Sequence, residues 1–182
     1  MRCFIAVPCA TPGVARLLSE LEKINADTKI VKPENLHLTL KFLGEVPESK
    51  VDEIYSALVD CLSPFRAFDV SLKGIGAFPK LRRVRVIWVG FGKNSERFIE
   101  MNESIEKAME GIGFPRETRF HPHLTLARVR TARGKEELIS FIEKYATTPF
   151  GDTHIERVEL MKSTLTPRGP LYSTLYQVKL AD

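Results

Sequence analysis

The sequence is poor in cysteine and has no long apolar run. Its three cysteines, Cys3, Cys9 and Cys61, cannot all pair and form no Cys-x-x-Cys. That argues against a disulfide scaffold or a cysteine-based zinc site and for a reducing cytoplasm. No stretch approaches the ~18 apolar residues of a membrane span. The opening Met1-Arg2-Cys3-Phe4-Ile5-Ala6-Val7-Pro8 is too short for a secretory leader and reads as a strand stopped by Pro8. A Gly-x-x-x-x-Gly-Lys-Ser/Thr phosphate loop is missing, and Gly74-Ile75-Gly76 is a bare fragment of a glycine loop. No Asp-Gly dipeptide occurs, which argues against a Lys-x-Asp-Gly ligase that forms a lysyl-nucleotide adduct. Acidic residues are absent between Asp69 and Glu96, where Lys73, Lys80, Arg82, Arg83, Arg85 and Lys93 fall. A second basic stretch sets Arg116, Arg119, Arg128, Arg130, Arg133 and Lys135 against Glu117 alone. With a net charge of only +4, this distribution fits a phosphate-bearing partner, or strand edges kept basic against aggregation. Charge does not choose between them.

What is present is a soluble globular composition, 43% apolar and 27% charged over 182 residues, enough for a single domain spanning 1–182. Thr11-Pro12 reads as an N-cap and first helical residue, ahead of an apolar face at Val14, Leu17, Leu18, Leu21 and Ile24. Pro47 opens a second helix with Val51, Ile54, Leu58 and Leu62 in register. Phe98, Met101, Ile105, Met109 and Ile112 trace a third, and Leu138, Ile142 and Tyr145 a shorter fourth after Gly134. Strand-like runs lie at 2–8, 36–46, 66–73, 84–91, 123–130, 155–163 and 171–180. Strands outnumber helices, and some adjoin without a helix between, so the pattern predicts an α+β fold with antiparallel sheets.

One repeat rises above this background. His37-Leu38-Thr39-Leu40 recurs unchanged as His123-Leu124-Thr125-Leu126, 86 residues on. Two His-x-Thr matches arise in about one such composition in forty, and the leucines lower that by a further factor of roughly a hundred. The spacing suggests two similar lobes, each contributing one copy. On a strand, Leu38, Leu40, Leu124 and Leu126 point into the core, while His37 with Thr39, and His123 with Thr125, share the opposite faces. Two imidazoles on one cleft suit phosphodiester cleavage, which needs a base for the nucleophile and an acid for the departing oxygen. Hydroxyls can hold phosphate oxygens, and an arginine can offset transition-state charge.

At these residues the sequence resembles the 2H phosphoesterase superfamily, and within it the RNA 2′,3′-cyclic phosphodiesterases historically called 2′-5′ RNA ligases. The likeness covers Arg2-Cys3-Phe4-Ile5-Ala6-Val7, Leu36-His37-Leu38-Thr39-Leu40-Lys41-Phe42-Leu43-Gly44 and Phe120-His121-Pro122-His123-Leu124-Thr125-Leu126-Ala127-Arg128. It implies a bilobal fold of two antiparallel-sheet lobes in pseudo-two-fold relation, helices outside, and both motifs in a central cleft. It implies opening of the terminal 2′,3′-cyclic phosphate of RNA, tRNA fragments among the candidates, to a 2′-phosphomonoester; no cofactor is called for, and because one chain supplies both motifs a monomer suffices. His37 is then the proton donor and His123 the proton acceptor, with Thr39 and Thr125 on the phosphate. A 5′-hydroxyl in place of water would give 2′-5′ ligation. The likeness also places Arg128 at the phosphate, although strict alternation turns it away from His123. A bulge or strand end before Arg128 is required. Phe4 and Phe42 are candidates to stack the terminal base, against plain core packing for both.

Two other readings stand beside this one. His121-Pro122-His123 offers two imidazoles to one metal ion, with only His37 and His154 left as further histidine ligands. Alternatively the basic stretches form a non-catalytic RNA-binding platform.

Overall fold

The computed structural model describes all 182 residues. Its strands are β1 (Arg2–Pro8), β2 (Thr28–Ile30), β3 (His37–Glu45), β4 (Phe68–Lys80), β5 (Arg83–Phe91), β6 (Leu124–Val129), β7 (Pro149–Ile155), β8 (Arg157–Thr166) and β9 (Gly169–Lys179). Its helices are α1 (Pro12–Glu22), α2 (Val51–Leu62), α3 (Glu96–Gly111) and α4 (Lys135–Lys144). The strands form two antiparallel sheets, ordered β3-β1-β8-β9 and β2-β6-β5-β4-β7. Helices α2 and α3 pack on the first sheet, α1 and α4 on the second. No helix is long and apolar enough to cross a membrane.

The helix signals act as read. The Thr11 hydroxyl accepts from the Val14 amide at 3.1 Å and donates to the Phe150 carbonyl at 2.6 Å, so one side chain caps α1 and pins it to β7. The second helix starts later than its proline: Glu48–Lys50 make a 3₁₀ turn before α2. Strands β2 and β7 were not legible in the sequence, being the two edges of the larger sheet. The run at 66–73 continues through two glycines and a proline to Lys80. Gly74 has φ +77°, and a side chain at Gly76 would meet the Trp88 ring, which lies against that backbone. These residues, strand breakers elsewhere, are here a kink and a seat for an indole.

Each sheet carries one copy of the repeat, yet the sheets are not the two halves of the chain. The first takes β1, β3, β8 and β9, the second everything between, so the chain passes repeatedly from one to the other. The buried apolar residues form one cluster reaching both sheets.

The strands bearing the repeat share an irregularity. Ile5 and Ala6 of β1 face Lys41 and Thr39, leaving Leu40 as an extra residue. Ile87 and Trp88 of β5 face Ala127 and Thr125, leaving Leu126 as an extra residue. Both are β-bulges at the same place in the motif. Helix α3 holds the first one. Asn102 donates to the Leu40 carbonyl at 2.8 Å. One turn on, Glu106 takes the Lys41 ammonium at 2.8 Å, with the two side chains 3% and 2% exposed. Lys41 also donates to the Pro115 carbonyl at 2.9 Å, and Glu106 accepts from the Glu117 amide at 3.0 Å. The ion pair therefore fastens β3, α3 and the irregular segment leading to His123 at one point. At the second bulge the Leu126 carbonyl accepts from the Val31 amide at 2.8 Å instead.

A buried charge that loses its partner is costly. Lys41→Met is expected to lower unfolding stability by about 3–5 kcal/mol. Lys41→Met combined with Glu106→Gln, which removes the stranded charge, should recover much of that loss in urea denaturation.

Candidate active site

His37 begins β3, and His123 immediately precedes β6. Counted from each histidine itself, six positions run in the same order: half-buried, buried, half-buried, buried, buried, exposed. The leucines point inward as expected, and His37 with Thr39, and His123 with Thr125, face outward. The bulge then does what strict alternation forbids. It buries Lys41 and Ala127 and returns Phe42 and Arg128 to the face of the histidines. The irregularity that Arg128 required is thus present, and Phe42 is its counterpart in the first motif.

The imidazoles are held alike. His37 Nδ1 lies 2.6 Å from the Asn35 carbonyl and His123 Nδ1 lies 2.7 Å from the His121 carbonyl, each two residues back. A carbonyl only accepts, so Nδ1 carries the hydrogen in both rings, and Nε2 is left for chemistry. Aromatic rings fix the orientation. Phe4 lies 5.2 Å and Tyr172 5.4 Å from His37, centroid to centroid, while Phe78 stands edge-on to His123 at 5.0 Å. Trp88 and Phe78 hold His121 at 5.4 and 5.7 Å.

Strands β3 and β6 pack against each other across the two sheets. The imidazoles are close enough for the charge of His123 to depress the titration of His37. Arg128 reaches both sides of the site: its charge acts on His123 and on Tyr172, whose ring packs on His37.

The electrostatic surroundings differ where the geometry does not. Burial lowers the pKa of both histidines, and the carbonyl bonds oppose it. For His37 the buried Glu159 carboxylate adds support for the charged form. For His123 the neighbouring His121 and Arg128 push the value further down. Burial raises the phenol of Tyr172, against the pull of Arg128 and Arg2.

Phe4 and Phe42 separate cleanly. Phe4 is 4% exposed and packs behind His37, whereas Phe42 is 61% exposed. His121 and His123 have ring centroids 6.4 Å apart, and no group of three or more His, Cys, Asp or Glu side chains gathers around them or elsewhere in the chain. His154 is on the edge strand β7, bonded to Asp69 at 2.7 Å. Glu159, Tyr172, Lys41, Glu106 and Asn102 were not singled out from sequence. The available signal was in α3, where Asn102 and Glu106 sit one turn apart beside the buried Met101 and Ile105.

The sequence model of the LigT-like phosphoesterases matches residues 5–88 and 92–172. The chain is 37% identical over 170 residues to an RNA 2′,3′-cyclic phosphodiesterase of Aeropyrum pernix, covering 93% of this chain and 96% of that protein. It is 35% identical over 183 residues to one of Methanothermobacter thermautotrophicus, covering 99% of each. Among solved structures it superposes on TT0787 of Thermus thermophilus with a TM-score of 0.81 and 29% identity, over 99% of this chain and 98% of that one. Escherichia coli LigT complexed with 3′-AMP shares the fold, with a TM-score of 0.77 and 23% identity over 100% and 98% of the two chains. A likeness carried through nearly every residue, both motif strands included, has one reading: the chain belongs to the LigT-like phosphoesterase family.

Proposed function

We propose that this chain hydrolyses the terminal 2′,3′-cyclic phosphate of RNA to a 2′-phosphomonoester, residues 1–182 acting as one catalytic unit with no metal in the step. One observation carries the reading. Two His-x-Thr motifs with matching bulges and matching Nδ1-protonated tautomers, each leaving Nε2 for chemistry, lie on strands that pack against each other across the two sheets. Relatives named RNA 2′,3′-cyclic phosphodiesterase, aligned over almost the whole chain, support the choice of substrate.

The chemistry follows from the tautomers and the charges. Neutral His123 has a lone pair on Nε2 and accepts a proton from water as the oxygen attacks phosphorus in line with the 3′ oxygen. The P–O3′ bond breaks, and protonated His37 gives its Nε2 hydrogen to O3′. The products are a 3′-hydroxyl and a 2′-phosphate. Glu159 favours charge on His37 and Arg128 disfavours it on His123, the polarity that acid and base require. Thr39 and Thr125 donate to the non-bridging oxygens, and Arg128 offsets their growing charge. Phe42 is the exposed ring on this face and the one free to stack the terminal base.

His37→Ala and His123→Ala are each expected to lower turnover by about 10²–10⁴-fold, with the far-UV spectrum and melting temperature retained and activity indifferent to chelator. ³¹P NMR of the product should show a 2′-phosphate. Near-normal turnover by either variant defeats the mechanism, and a 3′-phosphate reverses its polarity.

The rate–pH profile should be a bell, His123 setting the acid limb and His37 the alkaline limb. Arg128→Gln removes a positive charge that lowers His123, so the acid limb moves to higher pH. Glu159→Gln removes a negative charge that raises His37, so the alkaline limb moves to lower pH. Each change narrows the bell from its own side, and exchanged limbs would exchange the two roles.

A further inference from the structure

We infer that the end of β5 and β6 carries a second anion site, which takes backbone phosphates of the RNA upstream of the terminal nucleotide. The inference rests on the phosphodiesterase reading above and extends it to the body of the substrate. A cavity of about 280 Å³ opens there, and its walls include Arg82, Arg83, Arg85, Arg130 and Lys135. Arg130 meets Asp27 at 3.0 Å, but the other four cations form no ion pair. The acidic Glu136 and Glu137 of the adjoining turn line a different concavity.

Three observations separate this cavity from an ordinary solvated surface. It is where the two basic stretches of the sequence meet, because β5 from one pairs with β6 from the other. Protection of sheet edges does not account for it, since both strands are interior and the edges of that sheet are β2 and β7. It is also continuous with the catalytic face along one strand. Thr125, Arg128 and Arg130 follow each other on β6 and its extension, and Arg130 lines the cavity. From Thr125 to Arg130, with Leu126 taken up in the bulge, the strand advances by about 13 Å. At a rise of about 3.4 Å per stacked nucleotide, that is roughly four nucleotides. Four cations without ion pairs, in a cavity that Arg130 links along the strand to the catalytic face, suit a polyanion that also reaches the histidines. A mononucleotide reaches only the histidines.

The test compares wild type with Arg82→Gln/Arg83→Gln/Arg85→Gln, all exposed positions. The substrates are cytidine 2′,3′-cyclic monophosphate and an octaribonucleotide ending in the same cyclic phosphate. Wild type should show a higher kcat/KM on the octamer, and the variant should lose tenfold or more of that advantage while its rate on the monomer stays within twofold. The slope of log(kcat/KM) against log[salt] for the octamer should become shallower by about 2 for three lost phosphate contacts. A control lacking the same charge elsewhere, Lys23→Gln/Lys107→Gln/Lys179→Gln, should keep the octamer advantage. The proposal is overturned if the arginine variant keeps that advantage or if the control loses it equally. Fluorescence anisotropy with a 5′-fluorescein octaribonucleotide bearing a 2′-phosphate tests the cavity without turnover: binding tenfold weaker in the arginine variant supports it, and equal binding overturns it. Absence of turnover by wild type on both substrates would overturn the phosphodiesterase reading alone.

Discussion

Regular strand geometry allows every second residue to face one side, and the candidate site needs a different spacing. A histidine, a threonine two residues on and a third group three residues beyond that cannot share a face without an extra residue between them. Leu40 and Leu126 are those extra residues. Each is buried, so the bulge takes an apolar side chain into the core while it re-phases the strand outside. The carbonyl of each is bonded by a partner other than the strand opposite the bulge, by Asn102 at the first and by the Val31 amide at the second. The leucines of the repeat are therefore more than core filler, because the second of each pair is the position at which the register changes.

The two motifs share geometry and differ in charge. Identical bonds to a backbone carbonyl give identical tautomers, which by themselves would make the histidines interchangeable. The difference comes from the next layer of residues: a buried carboxylate, Glu159, acts on one imidazole and a guanidinium, Arg128, on the other. The bulges diverge in the same way. One buries a lysine against a glutamate, and its counterpart buries an alanine that needs no partner. Duplicated backbone with unlike charges is a direct route to an acid and a base from one motif.

The sequence exposes what is local. Alternation placed the leucines, histidines and threonines on their faces, and the cap at Thr11 placed α1. The conflict between alternation and the position of Arg128 demanded a bulge, although nothing in Leu126 itself announces one. What stayed hidden depends on distant partners. Lys41 finds Glu106 across 65 residues of chain, and Tyr172 packs on His37 from the last strand of the chain. Strand β4 runs on through Gly74, Gly76 and Pro79 because β5 presents Trp88 to the gap left by Gly76, a fit that no local pattern encodes. Strand β2 is three residues long and is defined only by its pairing with β6.

The interleaved course of the chain has a consequence for ancestry. A cut midway, after β5, would leave each fragment with unfinished portions of both sheets, and β2 would be separated from β6, its sole neighbour. Two independent single-motif proteins joined end to end would not produce this arrangement. A tandem origin would have to pass through an exchange of strands between the copies, with the two histidine motifs inherited from a two-chain ancestor whose subunits already shared their sheets.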